Sequence, residues 1–208
     1  MEDMRGNNTV LLVGTAAGEA LFSHASRERR FYTLPLSVRR LSGTEDRLNL
    51  LLDEGFLRER ALFPGLRLGV KGELRSFNNR SGRGSRLVLS VFARELWDAP
   101  GEDVNEVFLT GSLCKAPTLR RTPMGREICD LLLAVNRRYG RADYLPCIAW
   151  GRAAEEAGGW AVGQSLSLRG RLQSRKYTKL LPEGSQERVA YEVSVVEFIG
   201  ENKIKDKR

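Results

Sequence analysis

Short runs of aliphatic and β-branched residues, each closed by glycine or a polar cluster, recur along this chain. Residues 10–14, 31–38 and 48–52 are three such runs, and a stretch with helical character follows at 54–62. Two further runs cover 66–74 and 86–96. The same succession then starts again, with runs at 107–111, 128–135 and 144–150, a helical stretch at 152–157, and runs at 165–172 and 189–198. Runs of this length, bounded by turn residues, predict β-strands. The order in each half is β-β-β-α-β-β.

The two halves are copies. Val10-Leu11-Leu12-Val13-Gly14-Thr15 aligns with Val107-Phe108-Leu109-Thr110-Gly111-Ser112, an offset of 97 residues. That offset also places Leu36-Ser37-Val38 on Leu133-Ala134-Val135, Gly43 on Gly140 and Asp46 on Asp143. With one more residue, Gly65 falls on Gly163 and Gly72-Glu73-Leu74 on Gly170-Arg171-Leu172. A fixed period of this size signals a duplicated unit. The joint falls in Asp98-Ala99-Pro100-Gly101-Glu102-Asp103, a polar Pro/Gly segment suited to a linker. Five short strands with a helix between the third and fourth predict closure into a small barrel, which leaves no open sheet edge. The expected fold class is therefore all-β: two tandem five-stranded OB-fold barrels, over residues 8–98 and 104–199, each with one short helix between strands 3 and 4.

Composition and charge narrow the chemistry. The 208 residues carry a formal charge of +8, with 34 Lys+Arg against 26 Asp+Glu. Residues 1–103 contribute +2 and residues 104–208 contribute +6. Such an excess reads either as a polyanion-binding surface or as a solvated face with a basic tail. A single histidine, His24, argues against His-dependent acid–base catalysis and His-rich metal sites. The three cysteines are odd in number, sit in apolar runs and form no C-x-x-C pair, so they read as reduced core residues, not as a disulfide frame or zinc ribbon. No apolar run approaches the ~20 residues that span a bilayer, and the acidic opening residues do not read as a signal peptide. Gly14-Thr15-Ala16-Ala17-Gly18 lacks the ending of a phosphate loop. Glu155-Glu156 and Asp53-Glu54 read as solvated pairs, and Ser23 beside His24 has no third partner for a triad. No enzyme, no cofactor and no membrane contact are expected, and the expected location is the cytoplasm, with the nucleoid.

The second copy interleaves aromatic and basic residues. Arg137, Arg138 and Tyr139 follow its second strand, Tyr144 and Trp150 bracket the third, Arg152 comes next, and Arg175-Lys176-Tyr177 follows the fourth. On an alternating strand Tyr144, Pro146, Ile148 and Trp150 share one side and Leu145, Cys147 and Ala149 the other. That puts Tyr144 and Trp150 roughly 20 Å apart at about 3.3 Å per residue. Exposed flat rings stack on any base, and neighbouring cations neutralise phosphates. The alternative is that these rings belong to the core.

These segments resemble the OB domain of bacterial single-stranded DNA-binding proteins over residues 104–198. The likeness rests on Val104-Asn105-Glu106-Val107-Phe108-Leu109-Thr110-Gly111, Leu119-Arg120-Arg121-Thr122-Pro123-Met124-Gly125, Leu133-Ala134-Val135-Asn136, Trp150-Gly151-Arg152 and Arg169-Gly170-Arg171-Leu172-Gln173-Ser174-Arg175-Lys176-Tyr177. The resemblance implies base stacking at Tyr139, Tyr144, Trp150 and Tyr177, with Tyr where the family often has Trp and Trp150 where Phe is common. Leu145 stands where the family often has His, which puts the usual subunit contacts in question. The first copy, residues 8–96, resembles the same domain more weakly. There Tyr139 becomes Ser42, Tyr144 becomes Arg47, Trp150 becomes Asp53, and the Arg-Lys-Tyr segment becomes Phe77-Asn78-Asn79. This predicts poor DNA binding by the first copy, whose residual basic–aromatic cluster is Phe77 with Arg75, Arg80, Arg83 and Arg86. The resemblance also implies an acidic, Phe-ended C-terminal tip; the short basic end here favours a specialised paralogue or a primosome-type OB protein over the housekeeping binder. The expected partner is single-stranded DNA, with RNA as the rival ligand, and a homodimer giving a four-barrel assembly is expected. A protein-interaction or primosome-assembly adaptor is the rival role.

Overall fold

The structure is a computed structural model and describes residues 6–79, 87–181 and 184–200. Its first half contains β1 (Asn8–Ala16), β2 (Leu21–Ser26), β3 (Arg29–Arg39), β4 (Glu45–Asp53), α1 (Glu54–Glu59), β5 (Arg67–Asn78) and β6 (Leu87–Asp98). The second half repeats this order as β7 (Val104–Leu113), β8 (Thr118–Arg121), β9 (Glu127–Asn136), β10 (Ala142–Trp150), α2 (Arg152–Gly158), β11 (Ser165–Leu181) and β12 (Gly184–Ile199). No helix among the described residues is long and apolar enough to cross a membrane.

Each half closes into a five-stranded barrel. In the first, neighbours run β3-β4-β6-β5-β1, and β1 pairs back onto β3; in the second, β9-β10-β12-β11-β7 closes by the pairing of β7 with β9. Among the described residues only β4–β6 and β10–β12 are parallel pairs, and α1 and α2 lead into β5 and β11. The sequence pattern did not reveal β2 and β8, which pair with β3 and β9 outside the closed barrels. Both are exposed along their whole length, so they carry no core-facing alternation to read.

Closure explains the repeated glycines. A Cβ on Gly14 would lie 2.4 Å from the Ser37 carbonyl oxygen, and one on Gly111 would lie 2.6 Å from that of Ala134. These are the points where β1 and β7 bend from one neighbour to the next to close each barrel. Gly72 and Gly170 sit at matching register shifts in β5 and β11. There a Cβ would come within 2.3 Å and 2.6 Å of a facing carbonyl oxygen. Inside each barrel alternate residues are buried: Leu34, Leu36, Val38, Leu48, Leu50 and Leu52 in the first, and Leu131, Leu133, Val135, Leu145, Cys147 and Ala149 in the second. The Asp53 carboxylate caps α1 by accepting from the Gly55 N–H at 3.0 Å. After α2, Trp160 is buried edge-on against Phe198, with centroids 4.5 Å apart.

The barrels are joined into one twelve-stranded sheet by antiparallel pairing of β1 with β7. Repeat-equivalent residues Val10 and Val107 lie directly opposite each other, so a near-twofold axis passes between them. The polar contacts obey the same symmetry. Asp46 accepts from Arg40 at 2.6 and 2.7 Å and, from the second barrel, from the Ser174 N–H at 2.7 Å. Asp143 is bound by Arg137 and accepts from the Ser76 N–H of the first barrel at 2.7 Å. Arg75 adds a contact to Asp143 at 2.9 Å that has no counterpart, since Gln173 stands at its equivalent.

Burial by itself would push the Asp143 carboxyl up, but hydrogen bonds from Arg137, Ser76 and Arg75 outweigh it and hold it below the usual carboxylate value. Removing one partner of a buried ion pair typically costs about 3–5 kcal/mol. Asp143→Asn is therefore expected to lower stability by that order in denaturant unfolding. A depressed folded-state pKa means the contribution is complete above the unfolded value of about 3.9 and disappears as pH falls through the lower folded value. The acid-side loss of stability should be shallower in Asp143→Asn than in the parent protein.

Candidate nucleic-acid interface

Strand β10 crosses the outer surface of the second barrel with alternating character. Leu145, Cys147 and Ala149 point inward, while Tyr144 and Trp150 are 51% and 40% exposed on the outer side. Ile148 shares their side yet is buried, so the outer face combines an apolar floor with rings at both ends. The Trp150 indole N–H donates to Ser194 Oγ of β12 at 3.2 Å, which fixes the ring across the parallel strand pair. Tyr139 lies in the short 3-10 turn Arg138–Gly140 and is 96% exposed. Its φ of 65° is left-handed, a conformation that costs a non-glycine residue about 1–2 kcal/mol. Local strain of this kind concentrates at functional positions.

The remaining candidates separate into three groups. Arg138 and Arg152 are exposed at the two ends of this face. Arg137 is not free to meet a phosphate, because its guanidinium is committed to buried Asp143 and also reaches the Ser76 carbonyl oxygen at 3.4 Å. Its work is at the seam between the barrels. Arg175, Lys176 and Tyr177 lie on the β11–β12 hairpin. The Arg175 guanidinium sits 5.9 Å from the centroid of the half-buried Tyr177 ring, and exposed Lys176 pairs with Glu187 at 3.1 Å.

Each barrel's long hairpin leans on the other barrel. Ser174 at the base of the β11–β12 hairpin bonds Asp46 of β4, and the Tyr191 hydroxyl donates to the Arg47 carbonyl oxygen at 3.1 Å. Reciprocally, Ser76 of β5 bonds Asp143 and accepts from the Tyr144 N–H at 2.9 Å. The structure thus sets Tyr144 and Trp150 on the second barrel's own outer face, with Tyr139 exposed in the turn that leads into β10. It carries Arg175-Lys176-Tyr177 toward the first barrel. Phe77, next to Ser76, lies beside the second barrel, its ring 6.0 Å from the Arg137 guanidinium. Arg75 leaves the basic–aromatic cluster expected around Phe77, since its guanidinium is bound to Glu73 and Asp143. Arg80, Arg83 and Arg86 of that cluster lie outside the described residues, as does the basic C-terminal end.

Sequence reasoning missed two residues on this face. Ser194 anchors Trp150, and Glu192, two residues before it on β12, is a half-buried carboxylate among Arg175, Arg120, Arg40 and Asp130. Burial pushes the Glu192 carboxyl up, and the Asp130 charge adds to that; the guanidinium groups of Arg175, Arg120 and Arg40 pull down without cancelling it. Neither position carries a sequence signal, because each depends on strand register. A raised folded-state pKa means that ionised Glu192 opposes folding at neutral pH. Glu192→Gln should therefore unfold at a higher denaturant midpoint at pH 7, and the difference should vanish as pH falls below about 4.

The model of the single-strand binding protein family matches residues 104–199. A single-stranded DNA-binding protein of Streptococcus agalactiae is 32% identical over 106 residues, which cover 48% of this chain and 71% of that protein. Single-stranded DNA-binding protein A of Bacillus subtilis is 40% identical over 81 residues, 36% of this chain and 47% of that protein. A Streptococcus pyogenes relative of similar name is 37% identical over 81 residues, 36% of this chain and 62% of its own length. This chain thus spans about half to three fifths of the latter two. The crystal structure of the wild-type single-stranded DNA binding protein from Thermus aquaticus superposes with a TM-score of 0.73 at 23% identity, over 98% of this chain and 97% of that one, which shows a shared fold. By its matched domain and its relatives, this chain belongs to the single-strand binding protein family.

Proposed function

We propose that this protein binds single-stranded DNA with little sequence preference, in replication, repair or recombination, and that it has no catalytic step. The observation that carries the reading is the pair of exposed rings Tyr144 and Trp150 on one outer face, with Tyr139 exposed in the turn before them and Arg138 and Arg152 exposed beside the two ends of the strand. Every base offers a π face to such rings, so stacking needs no base-edge readout and each stack contributes roughly 1–3 kcal/mol. Guanidinium groups beside these rings release counterions from the phosphates. The relatives' names, all single-stranded DNA-binding proteins, support the same ligand.

Residues 104–199 form the domain that presents these rings, and residues 8–98 form its fused partner. Tyr177 joins the site from the β11–β12 hairpin with Arg175 and Lys176 beside it, so the bound strand passes from the second barrel's face toward the first. Two chains pair to bring four barrels together. Sedimentation equilibrium should then give a mass twice that of one chain.

Titration with oligo-dT should quench Trp emission through Trp150, and the logarithm of the binding constant should fall linearly with the logarithm of salt concentration. Trp150→Ala with Tyr177→Ala should weaken binding by about 2–5 kcal/mol. A loss below about 0.5 kcal/mol would remove stacking at these rings from the account. An absence of both quenching and salt slope would favour a protein-assembly adaptor.

A further inference from the structure

The outer face of the first barrel, compared with the second position by position, has lost its ring: Asp53 occupies the place of Trp150. The structure shows rings on the two strands beside it. Phe31 of β3 occupies the place of Ile128, and Phe92 of β6 occupies the place of Ser194, the residue that anchors Trp150. Their centroids are 6.1 Å apart, so the two rings meet across β4. His24 of β2 stacks on Phe31 with centroids 5.0 Å apart and planes 20° apart, and the Arg94 guanidinium lies 4.6 Å from the Phe92 centroid. Arg29 closes Asp53 in an ion pair at 2.7 Å, which offsets the negative charge that replaced the indole.

We infer that this His24–Phe31–Phe92–Arg94 row is a second base-stacking platform for single-stranded nucleic acid, with its rings moved from the central strand to its two neighbours. Three observations carry it. The row lies on the same side of the first barrel as Trp150 lies on the second. It runs from exposed β2 across the sheet and ends on Arg94, which is exposed and pairs with Glu73 at 3.1 Å. It is bordered by the β2–β3 hairpin, where exposed Arg27 and Arg30 are placed to meet phosphates. A purely structural role accounts for Phe31 and Phe92, which flank buried Leu51 on this face. The exposed His24 imidazole and Arg94 guanidinium laid against their rings extend the row beyond what covering Leu51 requires.

This inference takes the ligand from the proposed function but uses a separate surface, so the two can fail separately. Fluorescein-labelled dT oligonucleotides of a length that exceeds one barrel's face are titrated by anisotropy against the full chain. The parent protein is compared with Tyr144→Ala/Trp150→Ala, which removes the second barrel's rings. Into that background are placed Phe31→Ile/Phe92→Ser, the residues the second barrel carries at the same register, and separately His24→Ala/Arg94→Ala, which leaves Leu51 covered. Residual, salt-dependent binding should survive the loss of Tyr144 and Trp150. Each first-barrel pair should then weaken it at least about tenfold. Residual binding that neither pair changes, or no residual binding at all, overturns the second platform and leaves the first reading standing. Binding insensitive to Tyr144→Ala/Trp150→Ala but lost on the first-barrel changes does the reverse, and no binding by the parent protein removes both.

Discussion

The antiparallel ladder between β1 and β7 is the contact on which the rest of the structure depends. It places Val10 opposite Val107 and turns two barrels into one sheet about a near-twofold axis. A ladder fixes translation along the strands but does little to resist rocking of one barrel against the other. The buried carboxylates of Asp46 and Asp143 supply that second constraint, each taking an arginine from its own barrel and a backbone N–H from the other. Such groups are tolerable inside only because every oxygen is met by a donor. Their positions determine where each long hairpin crosses to the neighbouring barrel, and so which rings share a surface.

That arrangement makes the two faces parts of one object. Near the start of β10 the Tyr144 N–H is held by Ser76 of the first barrel, and the hairpin bearing Tyr177 rests beside Arg47. A change in the seam will therefore be felt at the rings. The electrostatics of the face are finely balanced too. Glu192 sits among three guanidinium groups and one carboxylate, and a polyanion arriving there favours its protonated form.

Much of this was legible in the sequence. The duplication shows because closing a small barrel demands glycine where two backbones meet, at Gly14 and Gly111 and again at Gly72 and Gly170, and these survive divergence. The alternation of β10 correctly divides Tyr144 and Trp150 from Leu145, Cys147 and Ala149. Three things were hidden. Exposed strands such as β2 and β8 have no buried side to impose a period. Arg137 reads as a phosphate contact from sequence because its partner, Asp143, is brought to it by a chain reversal and is buried there against Ser76 of the facing barrel. The Arg40–Asp46 pair repeats it at the same offset, which was the available clue. Position-by-position comparison of the copies also registers Asp53 as a lost ring, whereas register across three strands brings Phe31 and Phe92 to the same patch.

The most direct test of stacking on these faces is photocrosslinking of the full chain to 5-iodouracil-substituted oligo-dT, with the attached peptides identified by mass spectrometry. The account predicts crosslinks at the exposed rings of Tyr139, Tyr144 and Trp150 and at the half-buried ring of Tyr177. Crosslinks confined to lysine- and arginine-rich segments without these rings would contradict it.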